Sequence, residues 1–135
     1  MLSPSEITDK MMDKDLFSQW LGIERVMDGE GVSALKMTVR EEMVNGFGVA
    51  HGGITFSFAD SAFAFASNSR GRHAMSIETT ISHHAAVHAG DILTAVAEEV
   101  HHNHKLGVYN VEVQNQKGEL VASFKGTVYR KSTEW

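Results

Sequence analysis

The sequence predicts an α+β domain in which a single antiparallel sheet curls around one long central helix. Three observations lead there. The segment 54–69 is apolar on nearly every side of a helix, which marks a helix enclosed by protein on more than one face. Everything after Gly71 reads as strand, with turn residues between the runs. The chain has 135 residues and no cysteine, enough for one core without a disulfide or metal staple. Residues 1–135 are therefore expected to form one domain.

The elements follow in order. Ser3 and Glu6, with Pro4 between them, form a capping-box pattern that starts a helical segment spanning 1–22. Met11, Met12, Leu16, Phe17, Trp20 and Leu21 recur at helical spacing, Gly22 is the stop, and Asp13 to Asp15 are placed to break the segment in two. Two short strands are expected at 23–27 and 32–40, separated by the turn Asp28-Gly29-Glu30-Gly31. In the second, Leu35, Met37 and Val39 alternate with Lys36, Thr38 and Arg40. A glycine-rich turn leads into the central helix, 54–69. Strands are then expected at 74–84, 91–102, 105–115 and 119–131, the last two joined by a hairpin at Gln116-Lys117-Gly118.

Composition narrows the function. The absence of cysteine removes thiol catalysis and thiolate metal sites. The net charge of −5 argues against nucleic-acid binding, which draws on basic surface. The longest apolar stretch is broken by Ser57, Asp60 and Ser61, so no membrane span is expected, and no signal peptide is visible; the expected location is cytoplasmic.

The chemistry concentrates at residues 45–60. Asn45 and His51 lie in the glycine-rich turn, and Asp60 is the one ionisable group on the helix that follows. A carboxylate among Phe56, Phe63 and Ala64, with no Lys or Arg on its own helix, suits a general base with a raised pKa. The alternative is a structural carboxylate satisfied by groups from the sheet. The Gly52 N–H, at the positive end of the helix dipole, is placed to bind a carbonyl oxygen that turns negative in a transition state. His51 is expected to orient the loop, and Asn45 either contacts substrate or water or supports the turn. Together these are the parts of an acyl-transfer hydrolase.

Gly52 and Asp60 are eight positions apart, or about 12 Å along a helix. One carbonyl and its attacking water do not reach both groups of one chain. If both act on one substrate they come from two protomers, so a homodimer is expected as the active unit. The histidines at 83, 84 and 88 and at 101, 102 and 104 invite a metal reading, but their strand and turn context favours surface or site-rim histidine, and no metal or cofactor is expected. Gly46, Gly48 and Gly52 miss the dinucleotide fingerprint by one residue, and there is no nucleophile elbow and no P-loop. Arg70 and Arg72 are expected to be solvated, or to meet ligand phosphates.

Asn45-Gly46 followed by His51-Gly52-Gly53, then Phe58-Ala59-Asp60-Ser61-Ala62-Phe63-Ala64 and Asn68-Ser69, resembles the hotdog-fold acyl-CoA thioesterases, and among them the phenylacetic acid degradation type. Glu78-Thr79-Thr80-Ile81, Gly90-Asp91, Gly107-Val108-Tyr109 and Val121-Ala122-Ser123-Phe124-Lys125-Gly126-Thr127 extend the likeness over about residues 20 to 131. The resemblance implies hydrolysis of an acyl-CoA to free acid and CoA, with aromatic acyl groups such as phenylacetyl as the first expectation. It implies dimers with two shared sites, often paired as a homotetramer. Asp60 falls at the catalytic carboxylate, acting on water as general base or attacking directly to form a transient anhydride; Gly52 falls at the polarising amide, and Asn45 and His51 at positions that place substrate or water. Gly53, Ser61 and Ser76 are the accompanying substrate-binding candidates. One stretch departs from the family: where relatives carry a Leu-Arg-Pro or Phe-Arg-Pro-like sequence, this chain reads His83-His84-Ala85-Ala86. Two other functions remain open, a hotdog enoyl-CoA hydratase or dehydratase and a noncatalytic acyl-CoA-binding protein.

Overall fold

A computed structural model describes all residues, 1–135. Helix α1 (Pro4–Lys14) starts at the capping box the sequence shows: Ser3 Oγ accepts from the Glu6 amide and Glu6 reaches back to the Ser3 amide. It ends at Asp15, whose side chain also caps α2 (Leu16–Leu21) by accepting from the Ser18 amide at 2.9 Å. The break expected near residues 13 to 15 thus falls on one residue, whose backbone N–H donates to the Met12 carbonyl to close the first helix and whose carboxylate opens the second. Gly22 ends α2 with a left-handed φ of 76°.

Strands β1 (Glu24–Gly29) and β2 (Val32–Thr38) form a hairpin turned by Gly31 at φ 72°. Helix α3 (Gly52–Asn68) begins two residues earlier than the apolar pattern indicates, because the glycines themselves make its first turn. After it come β3 (Arg72–His83), β4 (Ile92–His102), β5 (Leu106–Gln114) and β6 (Leu120–Glu134). The strands form one sheet in the order β1-β2-β4-β5-β6-β3, with every neighbouring pair antiparallel. Both edges are therefore single strands, β1 and β3.

The sheet wraps α3, whose Phe58, Ala59, Ala62, Phe63, Phe65 and Ala66 are all fully buried. Small residues let helix and sheet approach closely. The tightest point is Gly126 on β6, where an added Cβ would lie 2.6 Å from Phe63 Cζ. The Phe63 ring in turn packs between Tyr109 and Phe124, with ring centroids 5.9 and 5.5 Å away. It has nowhere to retreat, so Gly126→Ala is expected to destabilise the protein by about 1–3 kcal/mol, the usual cost of overpacking a filled core. Urea denaturation of the two proteins measures it; equal midpoints would show that the ring yields.

The N-terminal helices are joined to α3 by a polar chain. Ser18 Oγ donates to Asp15 Oδ2 at 2.6 Å and lies 2.8 Å from Ser61 Oγ, the contact being buried. With the Ser18 proton committed to Asp15, Ser61 is the donor across the helix contact. No helix of the protein is long and apolar enough to cross a membrane.

Candidate active site

The loop before α3 is tied down at each end. Asn45 Oδ1 accepts from the Phe47 amide at 2.9 Å and more weakly from Val49, while the backbones of Asn45 and Val49 pair at 2.7 Å. Gly48 turns this small loop at φ 79°. The side-chain oxygen of Asn45 is thus spent on the loop, and its amide nitrogen keeps both donors. Further on, the Ala50 amide donates to the Val87 carbonyl and the His51 amide to the Met43 carbonyl. His51 is then the N-cap of α3: its Nδ1 accepts from the Gly53 amide at 2.9 Å. The ring nitrogen that accepts carries no proton, so a neutral His51 is protonated on Nε2.

This leaves Gly52 distinct. As the first helical residue its N–H has no intrahelical acceptor, and no other acceptor in the chain takes its place. Gly53, the other substrate-binding candidate of the motif, has its amide occupied by His51.

Asp60 lies near the middle of α3, half-buried, and forms no hydrogen bond or ion pair within the chain. Burial pushes its carboxyl above the ordinary aspartate range, and the charge of Asp15 pushes the same way. Because α3 is unbroken from Gly52 to Asn68, the rise of about 12 Å between the two groups holds in the folded chain. Ser61 is buried with its hydroxyl on Ser18, and Ser76 is exposed on the edge strand β3, just before a bulge at Ile77.

The chain belongs to the thioesterase superfamily. The profile of that family matches residues 47–122, which hold the loop from Phe47 onward, all of α3 and the sheet from β3 into β6. The acyl-coenzyme A thioesterase PaaI of Escherichia coli K12 is 41% identical over 120 residues, 89% of this chain and 86% of that one. The solved structure of the E. coli PaaI protein from the phenylacetic acid degradation operon superposes with a TM-score of 0.95, at 37% identity, covering 97% of this chain and 95% of that one. A Streptococcus mutans protein solved with acetyl CoA bound matches with a TM-score of 0.81 at 26% identity, over 84% of this chain and 91% of its own. The fold is the hotdog fold, and the protein is a thioester hydrolase.

Against this thioesterase background the stretch at His83-His84-Ala85-Ala86 gains a place. With Val49, Ala50, Gly52 and Thr55 it lines a cleft of about 370 Å³ at the start of α3. His83 faces Gly52 closely: a Cβ added to Gly52 would lie 3.3 Å from His83 Nε2 and 3.5 Å from its Cε1. Sequence reasoning missed this contact, although the departure from the family pattern marked the right residues. His84 turns elsewhere, with Nε2 2.9 Å from Ser123 Oγ.

The other cationic candidates are engaged within the sheet. Arg70, expected to be solvated or to meet phosphates, instead forms a 2.6 Å ion pair with Glu99, which also accepts from the Tyr109 hydroxyl. Burial alone would raise the Glu99 carboxyl, but the bonds from Arg70 and Tyr109 outweigh it and hold it below the usual range. Arg72 bonds the carbonyl and ring of His104, and His102 sits 2.9 Å from Glu99. His84, His102 and His104 are thus held by separate partners, and no group of three acidic or histidine side chains is arranged to hold a metal.

Proposed function

We propose that the protein hydrolyses acyl-CoA thioesters at two sites shared across a homodimer, with Gly52 of one protomer and Asp60 of the other at each site. The observation that carries this reading is the pair of unused groups on one helix. The Gly52 N–H and the Asp60 carboxyl are both without partners, yet stand too far apart to meet one carbonyl from the same chain. A two-fold axis relating two α3 helices would bring each next to its counterpart's complement. The unpaired edge strand β3 supports such a contact, with Met75 54% and Ile77 60% exposed beside it. A second pairing into a tetramer follows the family pattern.

In the reaction, water attacks the thioester carbonyl carbon while Asp60 removes its proton. The carbonyl oxygen becomes negative and is held by the Gly52 N–H at the positive end of α3. Collapse of the intermediate restores the carbonyl, breaks the C–S bond and expels the CoA thiolate, which takes the proton back from Asp60. The products are a free acid and CoA. Asn45, with its amide nitrogen unspent, orients the water or the acyl group, and His51 holds the loop that presents Gly52. Aryl-acetyl groups such as phenylacetyl are the proposed acyl class, supported by the close match to PaaI from a phenylacetic acid degradation operon.

Free-thiol release from a panel of acyl-CoA esters tests the activity, with maximal turnover expected on phenylacetyl-type substrates. Mixing protomers tests the shared site. When Asp60→Asn and Gly52→Pro chains are unfolded and refolded together, half the dimers are mixed and each holds one site with both groups intact. Roughly a quarter of wild-type activity is then expected from two nearly inactive parents. If mixing restores nothing, the groups act within one chain or not at all.

A further inference from the structure

We propose that His83 is a second hydrogen-bond donor to the substrate's thioester carbonyl oxygen, working beside the Gly52 amide. The proposal rests on the hydrolase reading above and adds a group that this reading does not contain.

The position of His83 is set by backbone on both sides. It is the last residue of β3 and pairs with Ala122 of β6. The next two amides, of His84 and Ala85, both donate to the Val121 carbonyl, at 2.8 and 3.4 Å. The ring of His84 is drawn towards Ser123. Side chains of neighbouring residues in extended chain point opposite ways, so this tether leaves His83 turned into the cleft at the start of α3.

Its approach to Gly52 fits a shared acceptor. The Cβ position of any residue is about 2.5 Å from its own amide nitrogen. With His83 Nε2 3.3 Å from that position, the Gly52 nitrogen and Nε2 are at most about 5.8 Å apart, a span that one oxygen bridges with two ordinary hydrogen bonds. Nε2 has no partner in the chain, so its proton is available in the neutral Nε2–H tautomer and in the charged form alike. A donor aimed at this oxygen gains strength as the carbonyl becomes an oxyanion, so its contribution falls on the transition state more than on substrate binding. No proton is transferred: the N–H bond of His83 stays intact through attack and collapse.

Two substitutions separate this role from a structural one. His83→Phe keeps an aromatic ring and removes the donor; His83→Gln places an amide N–H at nearly the reach of Nε2. We expect kcat for the best acyl-CoA substrate to fall about 10- to 100-fold in the Phe variant with KM little changed, the loss of one bond to a charged acceptor. The Gln variant should recover most of it. A ketone analogue, with methylene in place of the thioester sulfur, gives an independent signal: its carbonyl infrared stretch should lie at lower frequency when bound to wild type than to His83→Phe. Unchanged kcat with raised KM in the Phe variant would overturn the proposal in favour of a contact to the CoA moiety. Equal loss in Phe and Gln variants, with equal carbonyl frequencies, would overturn it in favour of packing. Wild-type turnover with a fully active Phe variant would remove His83 alone, whereas no thiol release by wild type would remove the hydrolase reading with it.

Discussion

Asp60→Asn is expected to cut turnover about 10²- to 10⁴-fold while the protein folds and assembles as before. Asparagine has the same shape and cannot take a proton from water. The side chain has no bonds in the chain to lose, so the substitution removes the base without breaking a contact. Activity within a few-fold of wild type would take Asp60 out of the reaction. The same substitution has a second expected consequence. Burial and Asp15 raise the folded-state pKa of Asp60 above the 3.8 of a free aspartate. Between the two values the native state holds more protons than the unfolded chain, so stability falls as pH rises through that window. Above the folded pKa the protein carries the full cost of a half-buried charge. The Asn variant carries none, so it should melt at a higher temperature than wild type near neutral pH. The difference should shrink on acidification and vanish below about pH 3.8. Parallel melting curves across that range would show that Asp60 is not strained by its surroundings.

Gly52→Pro deletes the amide hydrogen from the proposed site and presses a new Cβ on the His83 ring. Gly52 is the first residue of α3, the one helical position where proline is favoured, since its N–H has no helical acceptor to lose. The residue before a proline must be extended, and His51 already is, at φ −59° and ψ 136°. The new Cβ meets only the end of the His83 ring, at 3.3 Å, and rotation of that ring to relieve the contact also moves the second proposed donor. Loss of a single oxyanion donor typically costs 10²–10³ in rate, and a loss of at least that size is expected here with the melting temperature preserved. An active Gly52→Pro enzyme would mean that the oxyanion is held by other donors.

Local patterns carried much of this architecture. The Ser3/Glu6 box, the break at Asp15 and the Gly22 stop are written within a few residues of where they act, and each is seen in the structure. The all-round apolar helix implied an enclosing sheet, and the sheet is there. The start of α3 was less legible because its cap is a histidine ring, outside the small polar residues that normally signal a helix start. The start of β3 lies two residues before the expected one, across the register irregularity between Arg72 and Ala74. Partners far apart in the chain were not legible at all. Nothing near Arg70 announces Glu99, 29 positions on, nothing near Ser61 announces Ser18, and nothing near Gly52 announces His83. The groups of the candidate site could be read because their chemistry is local; the surroundings that tune them could not.

The place of β3 in the sheet also bears on how the protein is made. β3 leaves the ribosome directly after α3, but its only neighbour in the sheet is β6, the last strand; Ile81 pairs with Phe124, about forty residues later. Until β6 emerges, β3 has no strand to join, and α3 has only part of the wall that encloses it. Ile81, half-buried in the folded chain, is meanwhile uncovered beside Met75 and Ile77, which stay exposed after folding. β4 and β5, joined by a short turn, have no such delay. During its synthesis the third strand of this protein therefore waits, unpaired, for its sixth.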